Sequence, residues 1–173
     1  TGATSVGRHV MRAAADNLVP VTLELGGKSP VIAGRSADLA RMGERVALGK
    51  LLNAGQICLA PDYMLVPEER EGEVVAALRT GVAAMYPTLR DNPDYASVIN
   101  ARHRDRLRAL IADARDKGAE AIEINPAGED FAAGNTNKLP LTLLRHVTDD
   151  MAAMQEEIFG PILPIKTYRA IDE

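Results

Sequence analysis

Short apolar runs of strand length alternate along this chain with longer stretches of helical periodicity. That alternation restricts it to an α/β layer structure with a mainly parallel sheet flanked by helices. Strands are expected at residues 21–25, where apolar and polar residues alternate, and at 30–33, 63–66, 121–124, 139–147 and 162–168. Helices are expected from the hydroxyl-bearing turn 1–7 through about Asn17, then over 37–52, 68–84 and 100–117, with a short helical turn at 151–157. The first helix is expected to be capped by a hydroxyl residue, to put Val6, Val10, Met11 and Ala14 on one side, and to be closed by Pro20. The 100–117 helix has the clearest pattern, with Leu107, Leu110, Ile111 and Ala114 inward and Gly118 as its stop. Residues 87–93 read as loop and 125–138 as loop or hairpin, and no internal repeat is present.

Bulk properties remove several function classes. At 173 residues the chain has room for one sizeable core, or for one domain and part of another. A formal charge of -4 gives no electrostatic reason to expect nucleic acid or an anionic membrane as a partner. The one basic run, Arg102-His103-Arg104 with Arg106 and Arg108, is broken by Asp105 and reads as a solvated helix face. No apolar run approaches the roughly 18 residues that a membrane span requires. A single cysteine can form no internal disulfide, and with no secretory leader in view a reducing, cytoplasmic setting is expected. The chain opens at Thr1 in what reads as mid-element, as expected of a piece of a longer protein.

The residues that suggest chemistry lie in two stretches. Cys58 ends Asn53-Ala54-Gly55-Gln56-Ile57-Cys58, several residues past an expected helix end. Taken alone, such a cysteine is more often a small buried hydrophobe than a reactive group. The stretch Glu24-Leu25-Gly26-Gly27-Lys28-Ser29-Pro30 sets a carboxylate beside two glycines, where backbone can approach a ligand closely. Together the two stretches suggest a nucleophile and a base. The opening turn could receive an anion on free helix amides, but it matches neither a P-loop nor the Gly-x-Gly-x-x-Gly fingerprint, and a plain capped helix is the simpler reading. His9, His103 and His146 are scattered without metal-like spacing and read as structural or solvated, so no metal is expected. Glu156 and Glu157 are adjacent, point in different directions and do not make a proton-sharing pair.

These stretches also carry a resemblance. With Gln155-Glu156-Glu157-Ile158-Phe159-Gly160-Pro161 as a third, they resemble, in order and spacing, the signature stretches of NAD(P)-dependent aldehyde dehydrogenases. Cys58-Leu59-Ala60-Pro61-Asp62-Tyr63 is similar to the class 3 branch, with bacterial coniferyl aldehyde dehydrogenases as the nearest likeness, and the similarity runs over essentially the whole chain. The resemblance implies an aldehyde dehydrogenase-like catalytic domain over residues 23–168, preceded by the tail end of a cofactor-binding domain over 1–22 and followed by the start of a C-terminal segment over 169–173. It implies oxidation of a small-molecule aldehyde, aromatic and coniferyl-type by likeness, to its acid with NAD or NADP, in a protein that is a homodimer or homotetramer. Cys58 would be the nucleophile, its backbone N–H would share the oxyanion with an asparagine upstream of this chain, and Glu24 would be the base that activates water. Glu157 would hold the nicotinamide ribose and Phe159 would pack near the nicotinamide ring. Leu25 and Gly26 would lie along the cofactor through backbone atoms, and Gly2 and Thr4 would face its pyrophosphate. One departure stands at Ala3, where the family often carries serine, so a hydroxyl contact to phosphate would be lost. Lys28 reads as local and structural or solvated. The 173 residues alone are expected to be inactive, because other parts of the implied site lie outside them.

Three rival readings stay open. A CoA-acylating aldehyde dehydrogenase would use the cysteine but has no use for a hydrolytic base at Glu24. A cysteine hydrolase would need a histidine partner that no sequence feature nominates. A non-catalytic module could keep the fold and bind a partner or another subunit, although intact Glu24 and Cys58 count against it.

Overall fold

The computed structural model describes residues 1–131 and 136–172. Five strands form one sheet in the order β1-β2-β5-β4-β3, with β1 Pro30–Ile32, β2 Tyr63–Pro67, β3 Glu120–Ile124, β4 Leu141–Arg145 and β5 Ile162–Tyr168. Pairings β1 with β2, β2 with β5 and β5 with β4 are parallel, and only β3 runs antiparallel, against β4. The expected α/β architecture is therefore present, with an antiparallel edge.

Helix α2 (Leu39–Leu51) and helix α3 (Glu71–Met85) cover one face. Their inward residues Val46, Ala47, Leu51, Val74, Leu78 and Val82 share a buried cluster with Met64, Val66, Leu141, Leu143, Leu163 and Ile165 of the sheet. The two helices approach closely because Gly43 and Gly81 lack side chains. A Cβ on Gly43 would lie 2.5 Å from the Ala77 carbonyl oxygen, and one on Gly81 would lie 2.8 Å from that of Gly43. Helix α4 (Ala101–Asp116) covers the other face at β4, where Leu107, Leu110 and Ala114 meet Leu144, Ile158 and Ile162. Asn100 caps it by accepting from the His103 N–H at 3.0 Å, and Gly118 follows it with φ of 97°.

Several expectations need correction. Residues 21–25 form no strand: no neighbouring strand offers them a ladder among the described residues, and they lead without regular structure toward β1. Helix α1 (Thr4–Asn17) has Ala3 at its N-cap with no side-chain bond, since Thr4 and Ser5 already lie inside the helix. Its apolar stripe is buried only at Gly7 and Ala14, and Val6, Val10 and Met11 are exposed. The expected 139–147 strand pairs only over Leu141–Arg145, and the expected 151–157 turn is helical only over α5, Ala152–Gln155. Of the expected 125–138 loop, residues 132–135 lie outside the described residues, as does Glu173 of the expected C-terminal segment. Among the described residues no helix is long and apolar enough to cross a membrane.

Candidate active site

Cys58 sits in a turn between the end of α2 and the start of β2, and it is exposed rather than buried. The route to it is unusual. After α2 the chain tightens into a 3-10 turn at Leu52–Gly55, in which Asn53, Ala54 and Gly55 take left-handed φ values of 52°, 54° and 73°. Such backbone costs about 1–3 kcal/mol at a non-glycine residue and persists only where the surroundings impose it. Here Gln56 imposes it. Its side-chain Nε2 donates to the backbone carbonyls of Asn53 (2.9 Å) and Ser97 (3.0 Å), and its side-chain Oε1 accepts from the Ile99 N–H (2.9 Å). The Asn53 side-chain amide donates in return to the Gln56 backbone carbonyl at 3.2 Å. The Cys58 N–H, by contrast, donates to no atom among the described residues.

The three sequence stretches converge on this turn. Ser29 Oγ donates to the Cys58 carbonyl at 3.5 Å, a long contact, and the Gly27 N–H donates to Glu157 Oε1 at 3.2 Å. A Cβ on Gly26 would lie 2.0 Å from Glu157 Oε2, so the Glu157 carboxylate rests directly on glycine backbone. Gly55 meets the third stretch in the same way, since a Cβ there would lie 2.6 Å from the Gly160 carbonyl oxygen. At the other end, the Gly2 N–H donates to the Glu24 carbonyl at 3.0 Å, and the Leu25 side chain fills the space beside Gly7 of α1. Gly2, two residues ahead of Thr4 at the start of α1, thus ties that start to the Glu24 segment. The Glu24 carboxylate is exposed and makes no hydrogen bond or ion pair with Cys58 among the described residues. Phe159 is 41% exposed, with φ of 49°.

Beneath the turn lie charged residues whose partners the local sequence does not name. Lys28 takes the structural one of its two expected roles, but through residues far along the chain rather than local ones. Its ammonium pairs with the buried Asp62 and donates to the carbonyls of Ala153 and Glu156, both at 2.9 Å. The other Asp62 oxygen accepts from the Ile158 N–H at 2.9 Å. The basic run is likewise more than a solvated face, because Arg106 reaches the Ile158 carbonyl and Arg104 that of Thr136. Burial pulls the Arg106 guanidinium below its usual range, against the opposing pull of Glu156, Glu157 and Asp62. Lys50, on α2, is 1% exposed, and burial pushes its ammonium down to about 8, with Lys28 lowering it further and Asp62 and Glu157 opposing. A helical signal could have found it, since Lys50 follows Val46 by one turn on the inward stripe.

No group of three or more His, Cys, Asp or Glu side chains among the described residues is arranged to hold a metal ion. An open groove of about 580 Å³ lies across the sheet face at Tyr63, Leu65, Lys166 and Tyr168, and neither Cys58 nor Glu24 lines it.

Comparison with known proteins decides what these stretches belong to. The model of the aldehyde dehydrogenase family matches residues 1–173, the whole chain. The chain belongs to the aldehyde dehydrogenase family. A coniferyl aldehyde dehydrogenase of Pseudomonas sp. strain HR199 is 60% identical over 172 residues, 99% of this chain and 36% of the relative. Mouse aldehyde dehydrogenase family 3 member A2 is 44% identical over 174 residues, 100% of this chain and 34% of the relative. Among solved structures, an aldehyde dehydrogenase of Mycobacterium tuberculosis complexed with NAD+ superposes with a TM-score of 0.84 at 34% identity, over 99% of this chain and 35% of that one. The substrate-bound AldH of Staphylococcus aureus gives 0.83 at 42% identity, over 99% of this chain and 36% of that one. The chain thus spans about a third of the length of the aldehyde dehydrogenases it matches.

Proposed function

We propose that the full-length protein oxidises an aldehyde to its carboxylic acid with NAD or NADP, and that Cys58 is the nucleophile. One observation carries the reading. The loop from Glu24 to Ser29 touches both the Cys58 turn, through Ser29, and the Glu157 carboxylate, through Gly26 and Gly27. Base, nucleophile and cofactor ligand then belong to a single loop cluster.

The residues present fit a nicotinamide cofactor. Oε1 of Glu157 is occupied by the Gly27 N–H, while no hydrogen bond engages Oε2 among the described residues, so it can accept from a ribose hydroxyl. Phe159 presents a partly open ring two residues on, and the Gly26 backbone lies directly against the Glu157 carboxylate. A nicotinamide cofactor held there would supply the hydride acceptor. The Cys58 thiolate adds to the aldehyde carbon, and the free Cys58 N–H donates to the oxygen that becomes negative. Loss of hydride from that carbon leaves a thioester on Cys58. Glu24, exposed at the loop edge, takes a proton from water; the hydroxide attacks the thioester carbon and the thiolate leaves. The substrate is proposed to be an aromatic aldehyde, on the strength of the Pseudomonas relative named for coniferyl aldehyde.

The test is reduced-nicotinamide formation by the full-length protein with aromatic and aliphatic aldehydes. Cys58→Ser is expected to abolish turnover in a folded protein. Turnover that survives this substitution, or that requires coenzyme A as acyl acceptor, would overturn the reading.

A further inference from the structure

Ile158 stands between Glu157 and Phe159, and both of its backbone polar groups are held by charged side chains from distant parts of the chain. Its N–H donates to Asp62 Oδ1 at 2.9 Å, and its carbonyl accepts from the Arg106 guanidinium. Its own side chain is wholly buried against α4. Asp62 is 3% exposed and shares its second oxygen with Lys28, whose ammonium also takes the Glu156 carbonyl at 2.9 Å. The peptide groups on both sides of Glu157 therefore end on one ion pair. Just beyond, Phe159 is forced into left-handed backbone, and Gly160 is wedged so tightly against Leu107 that a Cβ there would lie 2.4 Å from its Cδ2. Leu107 is the residue after Arg106, so α4 fixes the turn at two successive points.

Charge-assisted bonds of this kind are the strong ones, and an aromatic residue in left-handed backbone needs them. We propose that Asp62 and Arg106 are positioning residues that clamp the two peptide groups flanking Ile158, so that Glu157 and Phe159 are presented to the nicotinamide end of the cofactor. The proposal rests on the reading that Glu157 and Phe159 face the cofactor. Neither clamp residue touches the reacting atoms. Their effect is to fix two contacts to the cofactor that lie on either side of one residue, through the two peptide groups that flank it.

The experiment uses the full-length protein with Arg106→Met, Arg106→Lys and Asp62→Asn, beside Glu157→Gln and Phe159→Leu. Two quantities are read besides turnover: cofactor affinity by fluorescence of the reduced nicotinamide, and the rate of Cys58 alkylation by iodoacetamide without cofactor. Losing one charge-assisted bond is expected to weaken cofactor binding and raise its KM about tenfold in Arg106→Met. Asp62→Asn keeps an acceptor for the Ile158 N–H and is expected to show a smaller loss. Arg106→Lys is expected to recover most of the affinity. Cys58 alkylation is expected to stay within about twofold of wild type in all of them, because the clamp acts on the turn around Ile158 and not on the thiol. The proposal is overturned if folded Arg106→Met binds cofactor normally while Glu157→Gln does not, or if alkylation and affinity fall together, as a general loosening would cause. If Glu157→Gln and Phe159→Leu themselves leave affinity unchanged, the cofactor reading fails and takes the clamp with it.

Discussion

Lys50 offers a quantitative test of the charge arrangement beneath the cysteine turn. Its side chain is 1% exposed, and burial lowers its ammonium from 10.5 to about 8, while Asp62 and Glu157 favour the charge and Lys28 opposes it. In the unfolded chain Lys50 titrates near 10.5, so between about pH 8 and 10.5 the unfolded state holds a proton that the folded state has released. Stability therefore rises with pH across that window, and below it the full cost of burying the charge is present. That cost is about 3 kcal/mol at pH 7 and falls to about 1 kcal/mol by pH 10. Lys50→Met removes it. Relative to wild type, the variant should be favoured by about 2 kcal/mol more at pH 7 than at pH 10, whatever constant packing term the substitution adds. Urea denaturation of both proteins at pH 7, 8, 9 and 10, followed by circular dichroism, reads the difference directly. Stability differences independent of pH would show instead that Lys50 keeps an ordinary ammonium in the folded state.

Three further substitutions test the close approaches and the core. Gly55→Ala should destabilise the protein by about 2 kcal/mol and slow Cys58 alkylation, since the new Cβ meets the Gly160 carbonyl in left-handed backbone; thermal melts and iodoacetamide kinetics check both. Gly26→Ala should push the Glu157 carboxylate off its seat and raise the cofactor KM several-fold, with alkylation of Cys58 unchanged, which kinetics of the full-length protein would show. Tyr95→Phe should cost about 1–2 kcal/mol in urea denaturation, because the buried hydroxyl donates to the Leu139 carbonyl at 2.7 Å and its loss leaves that acceptor unsatisfied.

What was legible in the sequence followed from local pattern. A continuous apolar run located β5 at Ile162–Tyr168, whose first four residues are all buried, and period-3.6 spacing located the α4 helix, which buries the one face its own residues define. The same logic misassigned residues 21–25: alternation marks a segment able to be a strand, and pairing depends on a neighbour the local sequence cannot name. The chemical stretches were legible because Glu24, Cys58 and Glu157 each sit in a contiguous run. Their supports were not. Lys28 finds partners 34, 125 and 128 positions away, Asp62 reaches 96 positions to Ile158, and Arg106 reaches 52. Such contacts leave no periodic trace, and a basic run on a helix looks solvated until the turn it anchors is seen beside it.

The most direct test of the nucleophile is to trap its acyl intermediate. Full-length Glu24→Gln protein would be mixed with an aromatic aldehyde and NAD or NADP, quenched in acid, digested and weighed by mass spectrometry. With Cys58 as nucleophile, one equivalent of reduced nicotinamide is expected in a rapid first turnover, with an acyl adduct on the peptide that contains Cys58. Reduced nicotinamide formed without any adduct on Cys58 would contradict that role.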